Sequence, residues 1–234
     1  MIKVLVLYSE NIEIIDVYGV EKCINILNEH PLISASKINI NDIHNLTINK
    51  ANILLIAGGE PYQIRLRMQG NGATAIRKFI ADGGGYIGIC AGAVLAVPKA
   101  PTLDLLQYVK IVNDNIWWNS GLCGDVKLRA FINNELSKRF NKNNSFSYKN
   151  GPLFNIKKSK LGQPNTPIPL ALFDGSLYNT NDVITEEMSK QINNSIAIIY
   201  GTYGNGSIII SSVHPEYDTN VSNKELLWEM CLKC

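Results

Sequence analysis

Apolar residues fall along this chain in two alternating rhythms. Val4 to Tyr8 is an apolar run of strand length. Val17 to Leu27 then repeats apolar residues at Val20, Cys23, Ile24 and Leu27, the spacing of one helix face. Ile53 to Ala57 is a second buried strand, stopped by Gly58-Gly59. Ala73 to Ala81 puts Ile76, Phe79 and Ile80 on one side of a helix, and Tyr86 to Ile89 is a third apolar strand that runs straight into Cys90. Strands apolar on both faces, alternating with amphipathic helices, predict an α/β fold. The expected form is a doubly wound, mostly parallel sheet with helices on both faces.

The second half is less regular. Asn133 to Asn150 is polar and rich in Asn, which reads as surface loop or fraying helix. Ser195 to Tyr200 and Ser207 to Ser211 are β-rich runs separated by Gly204-Asn205-Gly206, which predicts an antiparallel hairpin. Asn223 to Cys231 closes as a helix with Leu226, Leu227, Met230 and Cys231 on its apolar side. No repeat or linker interrupts the pattern, so residues 1–234 are expected to form a single domain.

Composition narrows the picture modestly. Hydrophobic residues make up 46% of the 234 and charged residues 18%, the balance of a globular protein with a sizeable core. A net charge of +2 gives no reason to expect nucleic acid or an anionic membrane as partner. No run approaches the ~20 apolar residues of a membrane span. The apolar start at Met1 to Tyr8 is too short for a secretory signal and reads as a first strand. Five cysteines in no disulfide framework suit a reducing compartment, so the expected location is the cytoplasm.

The chemistry centres on Gly88-Ile89-Cys90-Ala91-Gly92. This G-x-C-x-G spacing between a strand and a helix is that of a nucleophile elbow, with Cys in the place of Ser. Gly88 and Gly92 are expected because side chains there would collide across the turn. The helix that opens after Cys90 presents free N–H groups that favour a thiolate. A cysteine nucleophile needs a base, and a base needs an orienter. Among the three histidines, His30, His44 and His214, only His214 sits at the end of a predicted strand, where open α/β sheets place ligands. Glu216 follows two residues later, a spacing that puts both side chains on one side of an extended segment. Gly58, Gly59 and the N–H of Ala91 are candidates for an oxyanion hole.

Ala57-Gly58-Gly59, the Cys90 elbow and His214-Pro215-Glu216 together resemble the class I glutamine amidotransferase-like superfamily. Gly59-Glu60-Pro61-Tyr62, Gly84 to Ala93 and Tyr148 to Phe154 resemble more closely the amidotransferase-like N-terminal domain of biotin–protein ligases, including its free-standing form. The resemblance implies a flavodoxin-like fold with Cys90 as nucleophile, His214 as base and Glu216 as orienter. The chain has no Gly-Arg-Gly-Arg stretch and no Met-Lys-Met acceptor, so it is not a biotin ligase by itself. It has no synthase domain to receive ammonia either.

Three readings follow. The first is a cysteine-dependent hydrolase or amidotransferase-like enzyme acting on a small-molecule amide or ester. The second is a non-catalytic regulatory or ligand-binding module of the same fold, binding a small metabolite or another protein. The third is an intracellular peptidase or deglycase relative; such relatives place an acid on an early strand, for which Glu10 or Glu13 is the candidate. No cofactor or metal is expected. Gly70-Asn71-Gly72 and Gly83-Gly84-Gly85 lack the spacing of nucleotide-binding loops. The C-x-x-C pair Cys231 and Cys234 stands alone, without a second ligand pair. Trp117-Trp118 reads as packing, and Glu186-Glu187 as solvated surface.

Overall fold

The computed structural model describes residues 1–45, 51–98, 102–113, 121–132, 135–140, 144–157, 160–162, 166–217 and 221–234. Twelve strands and five α-helices alternate along the described residues. In order they are β1 (Ile2–Tyr8), α1 (Val17–Asn28), β2 (Ile33–Asn39), β3 (Ile53–Ile56), α2 (Pro61–Ala81), β4 (Gly85–Ile89), α3 (Ala91–Ala96), β5 (Val109–Ile111), β6 (Cys123–Val126), β7 (Leu128–Ala130), β8 (Phe146–Lys149), β9 (Phe154–Ile156), β10 (Ile168–Phe173), α4 (Glu186–Asn193), β11 (Ile196–Tyr203), β12 (Gly206–Ser211) and α5 (Val221–Lys233).

The main sheet runs β2-β1-β3-β4-β12-β11-β10-β7, with β9 also on β11 and β5 on β9. The pairs from β2 through β1, β3 and β4 to β12 are parallel. β11, β10, β7, β9 and β5 extend this core with antiparallel pairs. The α/β fold with a parallel core is as expected, and the late hairpin is present as β11–β12. The antiparallel part is larger than that hairpin alone.

Burial explains why the parallel half reads so plainly. Every residue of β3 and β4 is buried, so both strands are apolar throughout. Helix α1 packs on β1 and β2 and against α5, while α2 packs against α3 and the 3-10 turn at Ile40–Asn45. Asp16 caps α1 by accepting the Gly19 N–H at 3.0 Å.

The structure corrects the sequence reading in three places. β2 has no counterpart among the expected elements, because Ile33, Ala35 and Ile38 are its only inward residues on an otherwise polar edge strand. Helix α2 starts at Pro61, twelve residues before the expected Ala73, with a break at Gln69 where φ is 54°. The polar 133–150 segment is not simply loop. It holds a 3-10 turn at Glu135–Arg139 and strand β8, with Phe140, Phe146 and Tyr148 buried. Its Asn content hides an alternation in which Phe146 and Tyr148 face inward and Lys149 faces out. Trp117-Trp118 lies outside the described residues. Glu186 and Glu187 occupy the exposed first turn of α4, where Glu186 pairs with Lys190 at 2.6 Å.

Candidate active site

β4 and β12 are parallel neighbours, with Ser211 opposite Ile89 at their ends. Chain leaving β4 therefore emerges beside chain leaving β12. Cys90 is the first residue past β4, and His214 lies three past β12. The Cys90 N–H donates to the Ser211 carbonyl at 2.9 Å, which ties the two exits together.

Cys90 adopts φ 52° and ψ −105°, a conformation uncommon for any residue but glycine. Such strain at the junction of strand and helix is what an elbow requires. The two flanking glycines do what the sequence predicts. A Cβ on Gly88 would lie 2.5 Å from the Gly92 carbonyl oxygen, and one on Gly92 would lie 2.0 Å from that of Ile56. The Cys90 side chain is half-buried, and its thiol faces the Lys149 carbonyl at 3.8 Å. Helix α3 is only six residues long, so its end is a minor source of field at the thiol.

His214 is held from three directions. Its N–H donates to the Ser147 carbonyl at 2.8 Å, pinning the backbone to β8. Nδ1 lies 2.7 Å from Glu216 Oε1, in a pair buried on both sides. The Tyr217 ring packs against the imidazole with centroids 5.1 Å apart. Nε2 is buried and has no hydrogen-bonding partner among the described residues. Burial pulls the imidazolium down, but Glu216 and the Cys90 sulfur outweigh it and hold the His214 pKa well above the ordinary histidine value.

Cys90 and His214 open into one cleft of about 260 Å³. Gly58, Gly59 and Ala91, the three expected oxyanion-hole residues, also line it. Gly59 has φ 146°, and a Cβ there would lie 2.4 Å from the Ile14 carbonyl oxygen, so the backbone comes close only because the residue is glycine. The structure thus brings Cys90, His214, Gly58, Gly59 and Ala91 together, with Glu216 buried behind His214.

Several cleft residues carried no role in the sequence reading. Asp16 and Glu60 reach it from the ends of their loops, each as a helix cap: Asp16 on α1, and Glu60 on α2 through the Tyr62 N–H at 3.0 Å. Lys149 and Asn150 line it too. The available signal was the Tyr148 to Phe154 block, which carried the family resemblance without an assigned function. Glu10 and Glu13 are exposed, and Glu10 lines a different cavity. The acid that the deglycase-like reading needs is therefore not supplied to this cleft by either.

Thiols elsewhere are placed differently. Burial pushes up the Cys23 and Cys231 thiols, and that of Cys234 to about 12. Among the described residues, no group of three or more His, Cys, Asp or Glu is placed to hold a metal ion. None of their helices is long and apolar enough to cross a membrane.

Comparison with known proteins agrees with the resemblance. Residues 17–100 match the family described as biotin-protein ligase, N terminal. The fold resembles a solved glutamine amidotransferase, with TM-score 0.58 and 16% identity over 97% of this chain and 98% of the other. It also resembles a ThuA-like protein from Parabacteroides merdae, with TM-score 0.60 and 12% identity over 99% of this chain and 88% of the other. A match to β-galactosidase from Bacillus circulans has TM-score 0.56 and 12% identity; it covers 99% of this chain but spans only 31% of that one. No curated protein matches the sequence. The chain has the class I glutamine amidotransferase-like fold, and within it the biotin-protein ligase N-terminal match includes the Cys90 elbow.

Proposed function

We propose that this fold carries a cysteine-dependent hydrolase or amidotransferase-like centre acting on an amide or ester carbonyl. Residues 1–234 are taken as one domain of this type. Cys90 is the nucleophile, His214 the general base and acid, and Glu216 the group that orients His214. The observation that carries the reading is the state of the imidazole. Glu216 holds Nδ1 at 2.7 Å, which leaves Nε2, buried and unbonded, as the nitrogen free to serve Cys90 in the shared cleft.

The chemistry follows from that geometry. Cys90 gives its proton to Nε2 and its sulfur attacks the carbonyl carbon. Negative charge builds on the carbonyl oxygen, and backbone N–H groups of Gly58, Gly59 and Ala91 receive it. His214 returns the proton to the departing amine or alcohol, leaving a thioester on Cys90. Water then loses a proton to Nε2 and attacks the thioester. The acid leaves and the thiol is restored, with one water consumed. Glu216 stabilises the imidazolium in both halves of the cycle.

A second reading, a non-catalytic ligand-binding module of the same fold, draws on one observation. The biotin-protein ligase N-terminal match includes Cys90 but ends before His214 and Glu216.

Alkylation of each cysteine by iodoacetamide, mapped by mass spectrometry across pH, separates the two. The catalytic reading expects Cys90 to react fast well below pH ~8.5, the free-thiol reference. It expects His214→Ala to slow Cys90 about tenfold or more, a far larger change than at Cys123. Equal Cys90 rates in both proteins would sink the catalytic reading and favour the binding module.

A further inference from the structure

The Tyr148 to Phe154 block carried much of the family resemblance, yet the chemistry above gives it no task. The main chain around it touches both halves of the reacting pair. The Ser147 carbonyl accepts the His214 N–H at 2.8 Å, and the Lys149 carbonyl faces Cys90 Sγ at 3.8 Å. Lys149, Asn150 and Pro152 also line the cleft. Asn150 turns the chain there with φ 51°, and Gly151 has no room for a side chain: a Cβ would lie 2.0 Å from the Ser212 carbonyl oxygen.

Three buried side chains from three separate segments fasten this turn. The Gly151 carbonyl accepts from the Tyr148 hydroxyl at 2.7 Å and from Asn113 Nδ2 at 3.1 Å. The Leu153 N–H donates to Asn113 Oδ1 at 2.6 Å, and the Ser212 hydroxyl donates to the Pro152 carbonyl. Asn113 lies just past β5, whose pairing with β9 stops at Ile111 and Phe154. The Val112 N–H adds one bond to the Leu153 carbonyl at 2.8 Å. Beyond it the Asn113 carboxamide stands in for a peptide group, giving one hydrogen bond and taking another. Asn113, Tyr148 and Ser212 are all buried, so losing any of these bonds leaves a polar group bare in the interior. The clamp thus fixes residues 147–151 against Ser212, two residues before His214.

Resting on the catalytic reading above, we infer that Asn113 is a positioning residue of this centre. Through residues 147–151, which it clamps together with Tyr148 and Ser212, it sets the spacing between Cys90 and the His214 imidazole. Asn113 is not among the residues that line the cleft, so it acts through the main chain alone. Glu216 orients the ring of His214, and the clamp holds the backbone that carries it. A small misplacement of reacting groups is costly, which is why a carboxamide remote from the chemistry matters to it.

The test is the pH profile of Cys90 alkylation by iodoacetamide in Asn113→Ala, with urea unfolding of each variant to confirm that it is folded. Tyr148→Phe removes one of the two donors to Gly151 and decides the matter if Asn113→Ala does not fold. Asn28→Ala is the control. Asn28 makes the same two bonds to a backbone, accepting the Ala35 N–H at 2.8 Å and donating to the Ala35 carbonyl at 3.1 Å, but on the β2 edge of the sheet. In Asn113→Ala the Cys90 rate at pH 7 is expected to fall about tenfold, with the profile moving toward the free-thiol reference near pH ~8.5. Tyr148→Phe is expected to shift it the same way by about two- to threefold, and Asn28→Ala not at all. A folded Asn113→Ala or Tyr148→Phe with the wild-type profile would overturn the inference, however much stability it lost. So would a faster Cys90 with its profile in place, which would mean only a wider cleft, or an equal shift in Asn28→Ala, which would mean general loosening. His214→Ala keeps the two levels apart. If it moves the profile while Asn113→Ala does not, only this inference fails; if it does not, the catalytic reading fails and this inference with it.

Discussion

The same two strands, β4 and β12, have a cysteine at each end, and the two ends could hardly differ more. At the carboxyl ends, Cys90 sits half-buried on a strained turn, in a cleft it shares with an imidazole. At the amino ends, the Cys234 thiol lies against the carbonyls of Tyr86 and Ser207, at 3.5 and 3.3 Å. Burial pushes that thiol up to about 12, and the neighbouring Cys231 up as well. The lesson is that a thiol held against carbonyls, with no base beside it, is a packing group. The C-x-x-C pair of Cys231 and Cys234 lies at the end of α5, where burial raises both thiols.

The largest way to break this contrast is to spoil the turn at the carboxyl end. Gly92→Ala brings a methyl group to 2.0 Å from the Ile56 carbonyl oxygen, a backbone atom that cannot move aside cheaply. The expected loss is roughly 3 kcal/mol or more in urea unfolding. A Gly92→Ala protein as stable as the wild type would mean that the elbow is looser than described.

A smaller effect comes from the His214–Glu216 pair. Because the folded-state pKa of His214 is raised, the stabilisation is fully present below the unfolded histidine value of about 6.5 and is lost as pH rises through the folded value. Glu216→Gln removes the charge that does most to raise it. The expected cost is roughly 1–3 kcal/mol at pH 6, with a narrower gap between the two proteins at pH 9. A gap that widens with pH would contradict the assignment of charge in this pair.

The smallest effect is expected at the amino ends. Cys234→Ser keeps a donor for the two carbonyls and should change stability by less than about 1 kcal/mol. In the native protein Cys90 and Cys123 should be alkylated well before Cys23, Cys231 and Cys234. Early labelling of Cys234 would erase the contrast between the two ends.

Legibility in the sequence followed the same division. The parallel core was readable because its strands are buried on both faces and so appear as unbroken apolar runs. The Cys90 elbow was readable because a tight strand–helix turn leaves room only for glycine at Gly88 and Gly92. β8 was obscured by its Asn-rich surroundings. Asp16, Glu60 and Lys149 were assigned no place in the site, since each comes from a different loop or strand end.

Local backbone sterics and hydrophobic periodicity act over a few residues, so the sequence by itself determined the alternating elements, the elbow and the His-Pro-Glu segment ahead of the last helix. The parallel pairing of β12 with β4 belongs to the tertiary structure alone. It places His214 beside Cys90 across more than a hundred residues of intervening chain. Strand order depends on which buried surfaces pack together across the whole molecule, and no local pattern encodes it. The same long-range packing decided that one cysteine shares a cleft with a histidine while another, at the far end of the same strands, lies against two backbone carbonyls.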